Sequence, residues 1–249
     1  PLGTAMCWMD TRANDEQREL SDALGLDGFL LFNLPKIAWP PSFVVSWVMR
    51  FTGVIPARHY SSRLPGKCLL EIAGKPMIQW VYERSSQARS LSDVVVATDD
   101  IRILEAVRSF GGQALMTSSK HRSGTDRVAE VAGQVESDVF VNIQGDEPLI
   151  SPKTIDAVCQ PFREDPELLL STARVELHEA SEIATPHNVK VVTDRAGKAL
   201  YFSRHPVPYL WDGSGRHFKH LGIYGYRREL LRGLEEIPVS ELEKTERLE

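Results

Sequence analysis

Two short runs, DVVVAT at 93–98 and DVFVNIQ at 138–144, limit the folds open to this chain. Each places apolar, mostly β-branched residues at successive positions, so each must be a strand covered on both faces. That burial is the habit of parallel sheets, and parallel strands need crossover helices. The intervening sequence supplies them. After a first apolar run, FTGVIP (51–56), the segment PMIQWVYERSSQAR (76–89) has Met77, Ile78, Val81 and Tyr82 at helical spacing, with Pro76 suited to a first turn. IRILEAVRSF (101–110) reads as a helix stopped by Gly111–Gly112, QALMT (113–117) as a short strand, and GTDRVAEVAGQV (124–135) as an amphipathic helix. The order βαβα predicts an open α/β sheet with helices on both faces. From 168 onward the helices thin out. LLLSTARV (168–175), NVKVVTD (188–194), KALYFSR (198–204) and HLGIYGYR (220–227) read as strands, and SELEKTERLE (240–249) as a helix. The expectation is a mixed sheet carrying a smaller inserted lobe.

Charge and cysteine content remove several functions. The net charge is −5, which makes the chain a poor nucleic-acid binder and turns any basic cluster into a local site. Cys7, Cys68 and Cys159 are too far apart for a metal knuckle and odd in number, and fit a reducing, cytoplasmic setting. The apolar segment 28–49 is broken by Pro35, Lys36, Pro40 and Pro41, which argues against a stable membrane span. Met49 stands directly before the first clear strand. Residues 1–48 are therefore expected to be a non-native or poorly ordered extension, and 49–249 the functional domain.

In α/β sheets ligands bind beyond the carboxyl ends of the strands. VIPARHYSSRLPGK (54–67) lies there, with Arg58, Arg63 and Lys67 set among small and polar residues. Such a loop is either a solvated basic loop or an anion cradle, with Arg58 as a planar fork and Lys67 as a point charge. It matches neither the Walker loop nor the GxGxxG fingerprint. QGDEP (144–148) follows the second doubly buried strand and places Asp146 and Glu147 on the ligand side. Mg²⁺ commonly takes one or two carboxylates plus substrate phosphates, and Asp146 is the first choice of metal ligand. Asp99 and Asp100 end another strand, where Asp100 has the simpler role of capping the next helix. HRSGTDR (121–127) enters a helix. Ser123 and Thr125 serve ordinarily as caps, although a nucleobase edge needs the fixed donors and acceptors that such a loop offers. In the second lobe Arg204, Lys219, His220 and Tyr224 offer partners to a hydroxylated acid.

These segments, in this order, resemble the 3-deoxy-manno-octulosonate (Kdo) cytidylyltransferases, or CMP-Kdo synthetases, over residues 50–249. The later LYFSRHPVP and HLGIYGYR segments separate this family from the sialic acid enzymes. The resemblance implies a Rossmann-like nucleotidyltransferase fold with a smaller lobe that supports a homodimer. It implies transfer of CMP from CTP to Kdo with release of pyrophosphate, Mg²⁺ as cofactor, and a place in lipopolysaccharide biosynthesis. It assigns Arg58 and Lys67 to the CTP phosphates. Ser123, Gly124, Thr125 and Arg127 border the cytosine, Asp146 holds the metal, and Gln144, Arg204, His220 and Tyr224 face the sugar acid. The family carries proline where Cys68 stands here, a change of small expected consequence. It also continues past Leu248–Glu249 with a sugar-contacting glutamine and a second metal-binding aspartate. The expectation is a C-terminally truncated domain of reduced activity. A cytidylyltransferase for a related ulosonic acid, a non-catalytic nucleotide-binding form and a purely structural domain are the alternatives.

Overall fold

The computed structural model describes residues 5–7, 49–60, 64–121, 123–234, 238 and 240–248. Apart from Ala5–Cys7, the expected extension lies outside the described residues, as do Arg63 and Glu249. The strands are β1 (Ala5–Cys7), β2 (Phe51–Ala57), β3 (Glu71–Ile72), β4 (Lys75–Pro76), β5 (Asp93–Thr98), β6 (Gln113–Met116), β7 (Val139–Asn142), β8 (Leu170–Leu177), β9 (Lys190–Thr193), β10 (Ala199–Ser203) and β11 (His217–Arg227). The helices are α1 (Met77–Ser85), α2 (Ile101–Ser109), α3 (Gly124–Gln134), α4 (Pro152–Glu164), α5 (Ala180–Ala184), α6 (Arg228–Gly233) and α7 (Glu241–Glu246).

One mixed sheet runs in the order β1-β8-β11-β7-β2-β5-β6, with β9 joining β11 and β10 joining β9. β2 lies parallel to both β5 and β7, and β5 parallel to β6. β5 and β7 are the doubly buried strands the sequence predicts, and the alternation along them and β2 divides the core. Phe51, Ile55, Val94, Val96, Val139 and Val141 face α1, α2 and α4, whose Ile78, Val81, Ile103, Val107, Ile155, Val158 and Phe162 share the same cluster. Val54, Ala97 and Phe140 face the opposite cluster, built from Val128, Val131 and Ala132 of α3 and Leu230 and Leu231 of α6. β11 is antiparallel to β7, β8 and β9, which makes the sheet mixed.

The chain leaves β2 toward β5 and β6, then returns to place β7 on the other side of β2. The carboxyl ends of β2 and β7 therefore flank a topological switch point, where open α/β sheets bind ligands.

α4 has no counterpart in the sequence expectations. Its Ile155, Val158, Cys159 and Phe162 follow a helical spacing, and Pro152 suits its first turn. Pro161 in its last turns disguises the pattern, since proline removes a helical hydrogen bond. The strand expected over 168–175 runs instead over Leu170–Leu177, set by its pairing with β11. Among the described residues no helix is long and apolar enough to cross a membrane.

Candidate active site

The loop after β2 closes on itself. The Gly66 N–H donates to the His59 carbonyl at 2.7 Å, and Gly66 adopts φ 72°, a left-handed conformation that side chains disfavour. A short 3₁₀ turn, Lys67–Leu69, follows directly and aims Lys67 at the switch point. From the other side, β7 is followed by a loop that carries Gln144 and Gly145. A Cβ on Gly145 would stand 2.7 Å from the Pro56 carbonyl oxygen, so only glycine lets this loop lie against the end of β2. The next residue is Asp146, and its carboxylate accepts from the Lys67 ammonium. Two residues 79 apart in sequence thus meet where the topology predicts a ligand. Both side chains are partly exposed, at 30% and 44%. Arg58 stands exposed one residue past β2.

Glu147 points elsewhere. It lines an apolar cavity of about 380 Å³ with Ile150, Leu221 and Ile223. Partial desolvation by the surrounding atoms, with Asp146 adjacent, pushes its carboxyl above the usual range although the residue is exposed. Among the described residues no three His, Cys, Asp or Glu side chains gather as a metal cluster. The donor set at Asp146 still suits a hard cation that takes one carboxylate from the protein and further oxygens from phosphates. Mg²⁺ fits on that chemistry.

Ser123, Gly124, Thr125 and Arg127 sit together at the start of α3. Ser123 is its N-cap. The Asp126 N–H donates to Ser123 Oγ at 3.1 Å and the Ser123 N–H to Asp126 Oδ2 at 3.0 Å, a full capping box. Gly124 lies against Pro56, which brings this helix start to the end of β2. Thr125 Oγ1 is 3.4 Å from the Tyr226 hydroxyl. Arg127 is only 3% exposed and faces inward. Its guanidinium donates to Asp99 Oδ2 at 2.6 Å, Thr117 Oγ1 at 2.6 Å and the Ser118 carbonyl at 3.2 Å. Asp100 caps α2 by accepting from the Arg102 N–H, the simpler of the two roles open to it, and hydrogen bonds from Arg102 hold its carboxyl down at about 2.

The acceptor-side candidates form a separate group. His220 and Tyr224 lie on β11 with ring centroids 5.4 Å apart, and Gly222 between them faces Gln144. Phe202 packs edge-on to His220 at 4.8 Å. Burial drives the His220 imidazole down to about 4, so it is neutral near pH 7. Thr172 donates its one hydroxyl hydrogen to a main-chain carbonyl, that of Ile223 at 2.7 Å. It therefore accepts from His220 Nε2 at 2.9 Å, which fixes the tautomer. Arg204 donates through Nε to the Glu246 carbonyl at 2.6 Å, through Nη1 to Pro186 at 2.9 Å and through Nη2 to Arg247 at 3.0 Å. Its own N–H donates to Glu246 Oε2 at 3.0 Å. Arg204 thus joins α7 to the lobe. Sequence reading missed Lys190, fully buried, whose ammonium donates to the carbonyls of Thr185, Asn188 and Arg204. In NVKVVTD a strand lysine carries no mark of burial.

Comparison with known proteins follows the same lines. The family model described as cytidylyltransferase matches residues 52–249. A 3-deoxy-manno-octulosonate cytidylyltransferase of Geobacter sulfurreducens is 48% identical over 213 residues, 81% of this chain and 85% of the relative. One from Escherichia coli is 50% identical over 197 residues, covering 79% and 80%. Among solved structures, a CMP:2-keto-3-deoxy-manno-octonic acid synthetase complexed with CTP superposes with a TM-score of 0.77. It is 49% identical and covers 80% of this chain and 83% of that one.

Proposed function

The chain belongs to the 3-deoxy-manno-octulosonate cytidylyltransferase family, and from that premise we propose that it transfers CMP from CTP to Kdo, giving CMP-Kdo and pyrophosphate for lipopolysaccharide synthesis. The observation that carries this reading is the meeting of Lys67 and Asp146 between the ends of β2 and β7. A basic loop and an acidic loop converge there beside a capped helix start, as a metal-bound triphosphate requires.

In the proposed reaction the anomeric hydroxyl of Kdo attacks the α-phosphorus. The bond to the β-phosphate bridging oxygen breaks, pyrophosphate leaves, and the hydroxyl proton passes to solvent. Such a step depends on positioning and charge neutralisation, not on a covalent protein intermediate. Arg58 and Lys67 hold the phosphates and offset their charge. Asp146 would hold Mg²⁺, which when bound neutralises phosphate oxygens and draws charge off the transferring group. Ser123, Gly124 and Thr125 border the base from the helix start. Arg127 supports that border from below. Gln144, His220 and Tyr224 line the acceptor side with Arg204. His220, held neutral, offers hydrogen bonds to sugar hydroxyls and no charge.

We place self-association on the smaller lobe. Tyr209 and Trp211 stand 83% and 91% exposed there, apolar area that a second copy would cover. The buried thiols Cys68 and Cys159 suit the cytoplasm, and burial pushes Cys159 up to about 12.

Pyrophosphate release with CTP, Kdo and Mg²⁺, compared with Asp146→Ala, tests the assignment. Release that depends on Kdo and disappears in the variant is the expected result. Release from the variant at the parent rate would remove Asp146 from the mechanism. Turnover of another ulosonic acid in place of Kdo would change the acceptor.

A further inference from the structure

The described residues of the loop joining β6 to α3, 117–121 and 123, are held by the helix they lead into. Its first N–H, that of Thr117, donates to the Thr98 carbonyl at the end of β5 at 2.8 Å. Arg127 then binds Thr117 Oγ1 and the Ser118 carbonyl from beneath. Glu130, one turn further along α3, accepts the Ser118 N–H on Oε2 at 2.8 Å, and the same oxygen meets His121 Nε2. The Ser123–Asp126 capping box closes the far end. Three side chains of one helix face, Arg127, Glu130 and Asp126, therefore fix the start, middle and end of one loop.

Glu130 is the member with no other evident task. Burial opposes its ionisation, yet the Ser118 N–H and His121 outweigh that cost and hold the carboxyl below the usual range. A part-buried acid beside the apolar face of an amphipathic helix needs such partners, and here both of its hydrogen-bond partners belong to the loop. The loop ends at Gly124, which lies against Pro56 beside the switch point.

We infer that Glu130 is a positioning residue for nucleotide-base recognition, acting through Ser118 and His121 to fix the main-chain groups of the loop that borders the base. This rests on the proposed cytidylyltransferase reading. Cytosine and uracil present opposite donor and acceptor patterns at two ring positions. A loop with fixed main-chain groups rejects the wrong pattern by leaving buried polar groups unpaired, whereas a loose loop can re-aim. Glu130 therefore sets both affinity for CTP and preference over UTP.

The test is direct titration of nucleotide into the full chain, with thermal unfolding and steady-state kinetics on the same samples. Glu130→Ala is expected to raise the Kd for CTP about tenfold and shrink the preference over UTP, while KM for Kdo stays within about twofold. Glu130→Gln keeps an oxygen for the Ser118 N–H and is expected to stay within about threefold of the parent. An unchanged CTP Kd and CTP/UTP ratio in Glu130→Ala, with only a lowered Tm, would overturn the inference and leave the functional reading intact. Absence of CTP binding by the parent would remove the functional reading, and this inference with it. Should Glu130→Ala fail to fold, His121→Ala decides in the same titration. Weaker CTP binding supports the inference and unchanged binding overturns it.

Discussion

Two sets of charged side chains on the large sheet, one in each half, are held in opposite ways. In the parallel half, Lys67 and Asp146 pair across two loops and both remain partly open to solvent, and Arg58 is exposed just past β2. In the antiparallel half, Lys190 is fully buried among three carbonyls and Arg204 is engaged by three more. A half-exposed ion pair contributes at most about 1 kcal/mol to stability, so a substrate can re-partner its members cheaply. A buried cation bound by main-chain oxygens cannot be released without leaving several polar groups unpaired. The first arrangement suits chemistry, and that of Lys190 suits shape.

The sharpest break in that comparison comes from the exposed pair. Lys67→Ala or Asp146→Ala should lower turnover by about 10²–10³, the scale of losing one charge-stabilising group in a water-poor site. Either should leave the Tm nearly unchanged, since the pair holds little folding energy. A large drop in Tm with modest loss of turnover would show that the pair is structural. Lys190→Met should do the reverse. It removes the donor from three part-buried carbonyls and should cost about 1–3 kcal/mol of stability in denaturant unfolding. CTP affinity of the folded fraction should hold, because β9 pairs with β11 at Lys219, away from the Tyr224–Arg227 stretch that pairs with β7.

The same contrast explains what could be read from the chain. The parallel half announces itself locally. DVVVAT and DVFVNIQ specify doubly covered strands, and the loops after such strands are where chemistry lies, so Lys67 and Asp146 stand out by their positions along the chain. Ser123 and Asp100 followed from capping rules, and both cap. The antiparallel half depends on pairings far apart in sequence. Nothing near Lys190 marks it as buried, and nothing near Arg204 announces that α7 will return to take its guanidinium. Glu130 was equally hidden, because its partners are fixed by how a loop folds back on its own helix. Helix α4 was missed for a local reason, the proline in its last turns.

Acid should separate the halves further. The His220 imidazole is pushed down to about 4 from 6.5 by burial. Above pH 6.5 neither the folded nor the unfolded chain binds a proton there, and the residue has no pH effect. Between about 6.5 and about 4 the unfolded chain is protonated and the folded one is not, so stability falls as pH falls. The full shift corresponds to about 3 kcal/mol, and half of that would be enough to see. Unfolding free energy measured across this window should slope in the parent and lose that part of its slope in His220→Gln. An equal slope in both would show that His220 is not the desolvated group.

Ser123→Ala gives the smallest effect and the finest test. The serine lies in the proposed base border, yet its side chain is already engaged as a helix cap. Loss of an N-cap costs about 1 kcal/mol, and glycine at that position recovers all but a few tenths. If capping is its whole contribution, Ser123→Ala should lower the Tm by a few degrees, Ser123→Gly should restore it, and CTP affinity should follow neither change. If the hydroxyl also meets the base, both variants should bind CTP more weakly by a similar factor, and glycine should rescue stability without rescuing affinity. The pair of variants thus places Ser123 with the groups that shape the molecule or with those that meet the substrate, a distinction that its position in the sequence cannot make.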